Sequence, residues 1–158
     1  MSEKNNGGRM TIAGILVSAA VIAFIAGEEA FVGEAYLDPV GVPTIGYGTT
    51  SGVQIGDTIT REEAEKRLIR DAGAAGAAIV RCVTVPLAQR EYDAYVSFIY
   101  NVGEGAFCRS TLVKKLNAGD YEGACNELPR WVYAGGKKLR GLEIRREKER
   151  RMCLGEEP

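Results

Sequence analysis

Three polar residues in the first third of the chain have types and a spacing suited to acid–base chemistry. Glu29 lies near the end of a helical pattern, which gives way to β-forming residues after about residue 34. Pro39 and Gly41 mark a turn, so Asp38 and Thr44 are expected on the two strands of a short hairpin. Two carboxylates and a hydroxyl on such elements can converge across a cleft. They could then protonate a leaving group and direct a water, as hydrolysis of a glycosidic bond requires.

The spacing of this set resembles the catalytic pattern of the phage muramidases of glycoside hydrolase family 24. That pattern is a Glu, an Asp nine residues later and a Thr six residues after it, and the Thr-Ile-Gly-Tyr-Gly run at 44–48 also matches. The family often has His after Tyr-Gly, where this chain has Thr49, and the chain contains no His. Histidine is thereby excluded from catalysis, whereas the Glu/Asp/Thr set is intact. The competing interpretation is that Glu28, Glu29 and Glu34 are solvated charges beside an ordinary hairpin.

The resemblance covers roughly residues 28–154 and implies an α+β, lysozyme-like fold, with a small β-hairpin lobe and a larger helical lobe joined by a long helix. It also implies a peptidoglycan hydrolase that cleaves the β-1,4 bond between N-acetylmuramic acid and N-acetylglucosamine during host-cell lysis, with no cofactor. Glu29 would be the general acid, protonated near neutral pH. Asp38 and Thr44 would hold a water whose attack inverts the configuration at the anomeric carbon. The alternatives are a lytic transglycosylase, which uses a single Glu, and a membrane-tethered peptidoglycan-binding protein.

Further site residues are implied by the second half of the match. Its most specific parts are Tyr100-Asn-Val-Gly103, Arg130-Trp131 and the block from Gly141-Leu142 to Arg145-Arg146. Asn101 and Trp131 are expected to line the cleft and contact sugars, or else to be a capping Asn and a core Trp. One of Arg145 and Arg146 is expected to form an ion pair that holds Glu29 in place, or else both are surface charges.

An uncharged apolar run of 18 residues, Met10 to Gly27, ends two residues before Glu29. As a helix about 27 Å long it would barely cross a hydrocarbon layer of roughly 30 Å. Lys4 and Arg9 precede it and favour a cytoplasmic amino terminus. The run fits a cleaved signal peptide, a buried core helix or a membrane anchor. Half of it is Gly, Ala, Ser or Thr, so we favour an anchor that can leave the membrane, an arrangement that resembles the signal-anchor-release endolysins of phages.

This hypothesis divides the chain into a flexible cytoplasmic tail (1–9), a weakly hydrophobic signal-anchor helix (10–27), a catalytic hairpin lobe (28–59), a connecting helix (60–81) and a helical lobe (82–158). It predicts export, tethering to the host inner membrane facing the periplasm, and later release into the periplasm as a monomer that acts on peptidoglycan. The net charge of −1 gives no indication of nucleic-acid binding. Residues 130–151 hold nine Lys or Arg against three Glu, which suits either an anionic polymer or a solvated helix.

Local signals predict the helices. Thr60 and Glu63 form a capping box for the connecting helix, whose Gly- and Ala-rich second half suits a strut with a bend at Gly73 or Gly76. In the helical lobe we expect a helix from Asp120 to Trp131, a loop at 133–136 and a final helix over 142–153.

The four cysteines, Cys82, Cys108, Cys125 and Cys153, lack the spacing of metal ligands. In an exported protein they predict two disulfides, for which three pairings exist. We favour Cys82–Cys108 and Cys125–Cys153, since each pair could join the ends of adjacent helical elements.

Overall fold

The computed structural model describes residues 8–156, and within them the protein has the predicted α+β architecture. The helices are α1 (Ala19–Glu29), α2 (Arg61–Cys82), α3 (Gln89–Val102), α4 (Glu104–Cys108), α5 (Thr111–Asn117), α6 (Tyr121–Cys125) and α7 (Arg140–Leu154). The strands are β1 (Val32–Leu37), β2 (Pro43–Gly46), β3 (Tyr133–Ala134) and β4 (Lys137–Lys138). Two 3₁₀ turns occupy Ile12–Gly14 and Leu128–Arg130.

The small lobe is built on the antiparallel pair β1–β2, in which Tyr36 faces Thr44 and Leu37 faces Pro43. The turn that joins the strands is closed by a hydrogen bond of 3.0 Å from the Asp38 amide to the Val42 carbonyl. Gly41 has a φ of 83°, which a residue with a Cβ rarely adopts. The predicted hairpin is therefore present, with its turn at residues 38–42.

Helix α2 begins where Thr60 predicts it, since the Thr60 hydroxyl accepts a hydrogen bond from the Glu63 amide. It is one continuous helix through Gly73 and Gly76. The expectation that its Gly- and Ala-rich second half is only a strut is wrong, because Ala75, Gly76 and Ala78 there are buried. A Cβ on Gly76 would lie far inside van der Waals contact of the Tyr92 hydroxyl, so the glycine lets α3 approach closely. The small residues serve the packing between α2 and α3.

The helical lobe is organised around α3, whose apolar face of Tyr92, Tyr95, Val96 and Ile99 is buried. The expectation of one helix over 120–131 is wrong. Helix α6 ends at Cys125, and the 3₁₀ turn Leu128–Arg130, whose second residue is Pro129, follows it. The expected loop at 133–136 is instead strand β3 followed by the turn of the hairpin β3–β4, in which Gly135 and Gly136 both have positive φ. Such a pair of glycines favours a tight hairpin turn.

Two disulfides join Cys82 to Cys108 and Cys125 to Cys153, as the sequence predicts. The first links the end of α2 to the end of α4, and the second links α6 to α7. Neither bridge includes a residue of the hairpin β1–β2.

The apolar run does not form one helix over 10–27 in this fold. It consists of the turn Ile12–Gly14, an extended piece, and α1, which starts where the Ser18 hydroxyl accepts from the Val21 amide. Val21 and Ile25 are almost fully buried. Among the described residues, no helix is both long enough and apolar enough to cross a membrane. Residues 1–7 of the expected flexible tail lie outside the described range, whereas Arg9 forms an ion pair of 2.8 Å with Glu91.

Candidate active site

Glu29 is the last residue of α1, and the chain turns sharply after it at Ala30, a non-glycine residue with a φ of 55°. The Glu29 side chain is 22% exposed. Gly48 follows strand β2 with a φ of 82°, and a Cβ there would lie 3.2 Å from Oε2 of Glu29. The carboxylate therefore lies against the backbone of the hairpin lobe, at the point where α1 meets that lobe.

The second contact of Glu29 comes from the helical lobe. Nη1 of Arg145, on α7, donates to Oε1 of Glu29 over 2.6 Å. The Arg145 side chain is only 5% exposed, and it also donates to the Ser97 carbonyl at 3.2 Å and to Glu149 at 3.2 Å. Burial alone would lower the pKa of Arg145, but the charges of Glu149 and Glu29 outweigh burial and raise it. Of the two arginines predicted to pair with Glu29, the structure selects Arg145.

Arg146 does not contact Glu29. It is fully buried and donates to Glu149 at 2.5 Å, to the Trp131 carbonyl at 3.0 Å and to the Asn101 side chain. Burial lowers the pKa of Arg146, and its single carboxylate partner offsets only part of that effect. The alternative in which Arg146 holds the acid directly is therefore corrected. Arg146 instead connects Glu149 to the two residues expected to bind sugar.

Glu149 was missed in the sequence, although a signal for it exists. It lies four residues after Arg145 and three after Arg146 on the same helix, and both spacings bring side chains together. The Glu149 carboxylate is completely buried and also accepts from the Ser97 hydroxyl at 2.7 Å. A buried network thus runs from Glu29 through Arg145 and Glu149 to Arg146.

Asp38 and Thr44 are brought together on the hairpin. Oδ1 of Asp38 accepts from the amides of Val40 and Val42, at 2.9 and 2.8 Å, which fixes the carboxylate over the turn. The Thr44 hydroxyl is buried and donates to the Val42 carbonyl at 2.9 Å. Asp38 is not on a strand as expected but directly follows β1, where it faces Val42 across the turn. Thr44, in β2, lies two residues after Val42, so the Asp38 and Thr44 side chains share one face of the hairpin. Within residues 8–156, no hydrogen bond joins either of them to Glu29.

Asn101 and Trp131 border one cavity of about 370 Å³. The Trp131 ring packs edge-on against Phe98, with the ring centroids 5.3 Å apart, so it belongs to the core and to the cavity wall. Asn101 is exposed at the end of α3 and accepts from Arg146. The remaining residues of the wall are Val102, Ala106, Tyr133, Ala134, Leu139, Leu142 and Arg146.

Tyr100 is a further site residue to which the sequence assigned no role. Its hydroxyl donates to the Tyr47 carbonyl, which joins α3 of the helical lobe to the hairpin lobe. Burial raises the pKa of this hydroxyl, and the charges of Asp71 and Glu29 raise it further, so it remains a hydrogen-bond donor. A Cβ on Gly48 would touch both the Tyr100 ring and the Glu29 carboxylate. Tyr100 therefore helps to fix the hairpin beside Glu29.

Comparison with known proteins adds an independent line of support. The phage lysozyme family model matches residues 26–149. The SAR-endolysin of Enterobacteria phage PA-2 is 38% identical over 152 residues, a match that covers 94% of this chain and 89% of that protein.

Two solved structures illustrate the structural similarity. The endolysin from Escherichia coli O157:H7 phage FAHEc1 superposes with a TM-score of 0.79 at 37% identity, covering 89% of this chain and 94% of that one. The active form of the P1 phage endolysin Lyz gives 0.78 at 26% identity, covering 94% and 96%. These likenesses confirm the predicted lysozyme-like fold.

Proposed function

Because the chain belongs to the phage lysozyme family, we propose that it is an endolysin that hydrolyses peptidoglycan to lyse the host cell. The bond cleaved is the β-1,4 link between N-acetylmuramic acid and N-acetylglucosamine. The observation that carries this proposal is the position of Glu29, which is held by Arg145 and faces the hairpin that bears Asp38 and Thr44.

Glu29 is the general acid of the proposed reaction. It is partly exposed and lies between the two lobes, where a glycan strand can reach it. Its protonated carboxyl group would donate to the glycosidic oxygen as the bond to the leaving sugar breaks. Arg145 has a positioning role, since it holds the end of α1 to α7 through one carboxylate oxygen.

Asp38 and Thr44 hold the attacking water. Oδ1 of Asp38 is occupied by two amides of the turn, and Oδ2 has no hydrogen-bond donor among the described residues. The Thr44 hydroxyl donates a hydrogen bond to the Val42 carbonyl, so its oxygen remains able to accept a hydrogen bond from a water. A water whose two hydrogens point to Oδ2 and to this hydroxyl directs a lone pair at the anomeric carbon. Attack from that side, opposite the leaving oxygen, inverts the configuration, and the proton that the water loses passes to Oδ2 of Asp38.

Asn101 and Trp131 are proposed to bind the sugars beside the bond that is cleaved. Both border the cavity between α3 and the β3–β4 hairpin, and both are tied to the Glu29 network through Arg146. The exposed Asn101 amide offers a polar contact for a sugar, and the Trp131 ring offers an apolar wall.

The apolar run is proposed to act first as a membrane anchor. This part of the proposal is supported by the SAR-endolysin relatives and by the composition of the run. Its contacts in this fold are those of a segment that has left the membrane. Arg9 pairs with the buried Glu91, Met10 pairs with Leu87 through two backbone hydrogen bonds, and the Ser18 hydroxyl donates to Asp93 over 2.6 Å.

These contacts have a consequence for control of activity. In the anchored state Arg9 lies on the cytoplasmic side of the membrane, so it cannot reach Glu91 on the exported part of the chain. Release lets the segment dock on α3, complete α1 and bring Glu29 against Gly48. The protein is thus exported, tethered facing the periplasm, and active as a monomer after its release there.

Analysis of the products from purified peptidoglycan tests the proposed reaction. We expect new reducing ends on muramic acid, which hydrolysis produces. A lytic transglycosylase would give the 1,6-anhydro form, and a binding protein would give no cleavage. Either of those outcomes would refute the proposed function.

A further inference from the structure

Glu149 is a buried carboxylate to which the proposed mechanism gives no role. Its side chain is fully buried and accepts from Arg145 Nε at 3.2 Å, from Arg146 Nη1 at 2.5 Å and from the Ser97 hydroxyl at 2.7 Å. Because the guanidinium of Arg145 also donates to Glu29 through Nη1, one group bridges the two carboxylates. A charge at Glu149 therefore acts on Glu29 through a shared neighbour.

The charges around Glu29 come mainly from α7. Arg145 and Arg146 supply two positive charges, and Glu149 supplies one negative charge. Lys148 and Asp71 are paired elsewhere, with Glu28 at 2.6 Å and with Arg70 at 3.0 Å. The hairpin presents the Asp38 carboxylate, which is bound by backbone amides and is the same in every variant compared below. From α3, Tyr100 presents a neutral hydroxyl. With Glu149 present, the charge that the α7 cluster directs at Glu29 is one positive unit instead of two.

From this arrangement we infer that Glu149 is a positioning residue that offsets the positive charge behind Glu29 and so keeps the acid protonated over a wider pH range. The inference rests on the proposed role of Glu29. A positive charge nearby favours a carboxylate over a carboxylic acid, and a general acid acts only in its protonated form. Arg145 is needed to hold Glu29 in place. Without Glu149, however, the two positive charges of Arg145 and Arg146 would favour loss of the Glu29 proton. Glu149 therefore lets Arg145 position Glu29 while limiting the loss of its proton.

A series of charge variants tests this role through the pH dependence of kcat/KM on purified peptidoglycan. E149Q raises the net charge behind Glu29, so the decline of activity on the basic side should move to lower pH by about one unit. R146Q lowers that charge, and the decline should move to higher pH. The double variant E149Q/R146Q has the wild-type net charge, and its decline should return close to the wild-type position. A role limited to packing would not be restored by removal of a second charge.

Glu147 provides the matched control on the same helix. It is exposed and paired with Arg150 and Arg151, which do not belong to the network behind Glu29. E147Q should leave the pH profile unchanged. Unfolding curves for every variant identify those that fail to fold. If E149Q does not fold, R146Q and the double variant still carry the test, because their declines should differ from each other.

The proposal is overturned if folded E149Q keeps the wild-type decline, or if R146Q and E149Q/R146Q decline at the same pH. Failure of the proposed function would look different. In that case wild-type protein would not release reducing muramic acid, or E29Q would remain active. Loss of activity in E29Q with an unchanged profile in the charge variants would refute only the role of Glu149.

Discussion

Arg145 and Glu29 form an ion pair of 2.6 Å although 116 residues separate them in the chain. Arg145 is rigidly held in α7, whereas Glu29 ends a helix made from the apolar run. The position of the acid therefore depends on two conditions. The helical lobe must be folded, and the apolar run must be packed on it.

Replacement of Glu29 by Gln should lower the rate of hydrolysis by a factor on the order of 10²–10⁴, because the proton donor is lost. The fold should be kept, since the Gln carbonyl can still accept from Arg145. Release of reducing ends gives the rate, and circular dichroism checks the fold. Glu28→Gln is the matched control, because Glu28 is the neighbouring carboxylate and pairs with Lys148 at the surface. If Glu29→Gln kept more than a tenth of the activity, another residue would be the acid.

The first product should be the α-anomer, because attack by a held water inverts a β-linkage. Proton NMR of the reaction at early times, before mutarotation, distinguishes the anomers. Asp38→Asn supplies a second check. Its amide oxygen can still accept from Val40 and Val42, so the turn is kept while the acceptor for the water is lost. A β-anomer at early times, or full activity of Asp38→Asn, would contradict the mechanism.

A more hydrophobic apolar run should keep the enzyme in the membrane fraction and inactive. Gly14→Leu, Ala19→Leu and Ala20→Leu combined raise its preference for lipid. All three positions are exposed in this fold, and a Cβ on Gly14 meets no atom within 4 Å, so the folded state tolerates the change. The same positions changed to Ser provide the control, which should be released normally. Fractionation of expressing cells measures the outcome.

Two results of that experiment would exclude anchor release. One is that the triple-Leu variant becomes soluble and lyses cells when the membrane potential is collapsed. The other is a wild-type product whose amino-terminal sequence shows that residues 1–27 have been cleaved off.

Loss of the Arg9–Glu91 pair should destabilise the released enzyme by about 1.5–3 kcal/mol, since the buried Glu91 would keep, among the described residues, only the Ala88 amide and the more distant Arg90 as partners. Arg9→Gln and Glu91→Gln each remove the pair. Glu91→Gln keeps Arg9, so the positive charge that precedes the apolar run is unchanged in that variant. The double variant should be more stable than the sum of the two losses implies. Urea unfolding of the purified soluble protein gives the free energies. Strict additivity would show that the pair does not couple the segment to α3.

Gly73 and Gly76 should respond in opposite directions to the same substitution. Gly73 is exposed with no atom within 4 Å of a Cβ, so Gly73→Ala should stabilise the helix by up to about 1 kcal/mol. Gly76→Ala should destabilise the protein by about 1–3 kcal/mol, because the Cβ collides with the Tyr92 hydroxyl. Adding Tyr92→Phe should recover part of that loss. Thermal unfolding measures all three, and equal effects at the two glycines would contradict the packing of α2 on α3.

Much of the molecule follows from local sequence. The turn residues Pro39 and Gly41 define the turn of the hairpin, whereas the change of pattern expected after residue 34 is misplaced, because α1 ends at Glu29 and β1 begins at Val32. The hydroxyls of Thr60 and Ser110 accept from the amides three residues on and start α2 and α5. These signals operate within a few residues, so they can be recognised without the fold. The spacing of Glu29, Asp38 and Thr44 is of the same kind, because each lies at a definable point of a local element.

Other features were decided only by tertiary structure. Arg145 and Arg146 are adjacent and of one type, and only the direction in which α7 packs on α3 sends the first to Glu29 and the second to Asn101. The burial of Glu149 between them has the same origin.

The apolar run shows this division most clearly. Its apolar side chains are compatible with a membrane helix and with a buried segment, because both environments require them. Its form in this fold is set by partners more than 70 residues away, Glu91 for Arg9 and Asp93 for Ser18. Such long-range contacts depend on how the whole chain packs, and no local pattern contains that information.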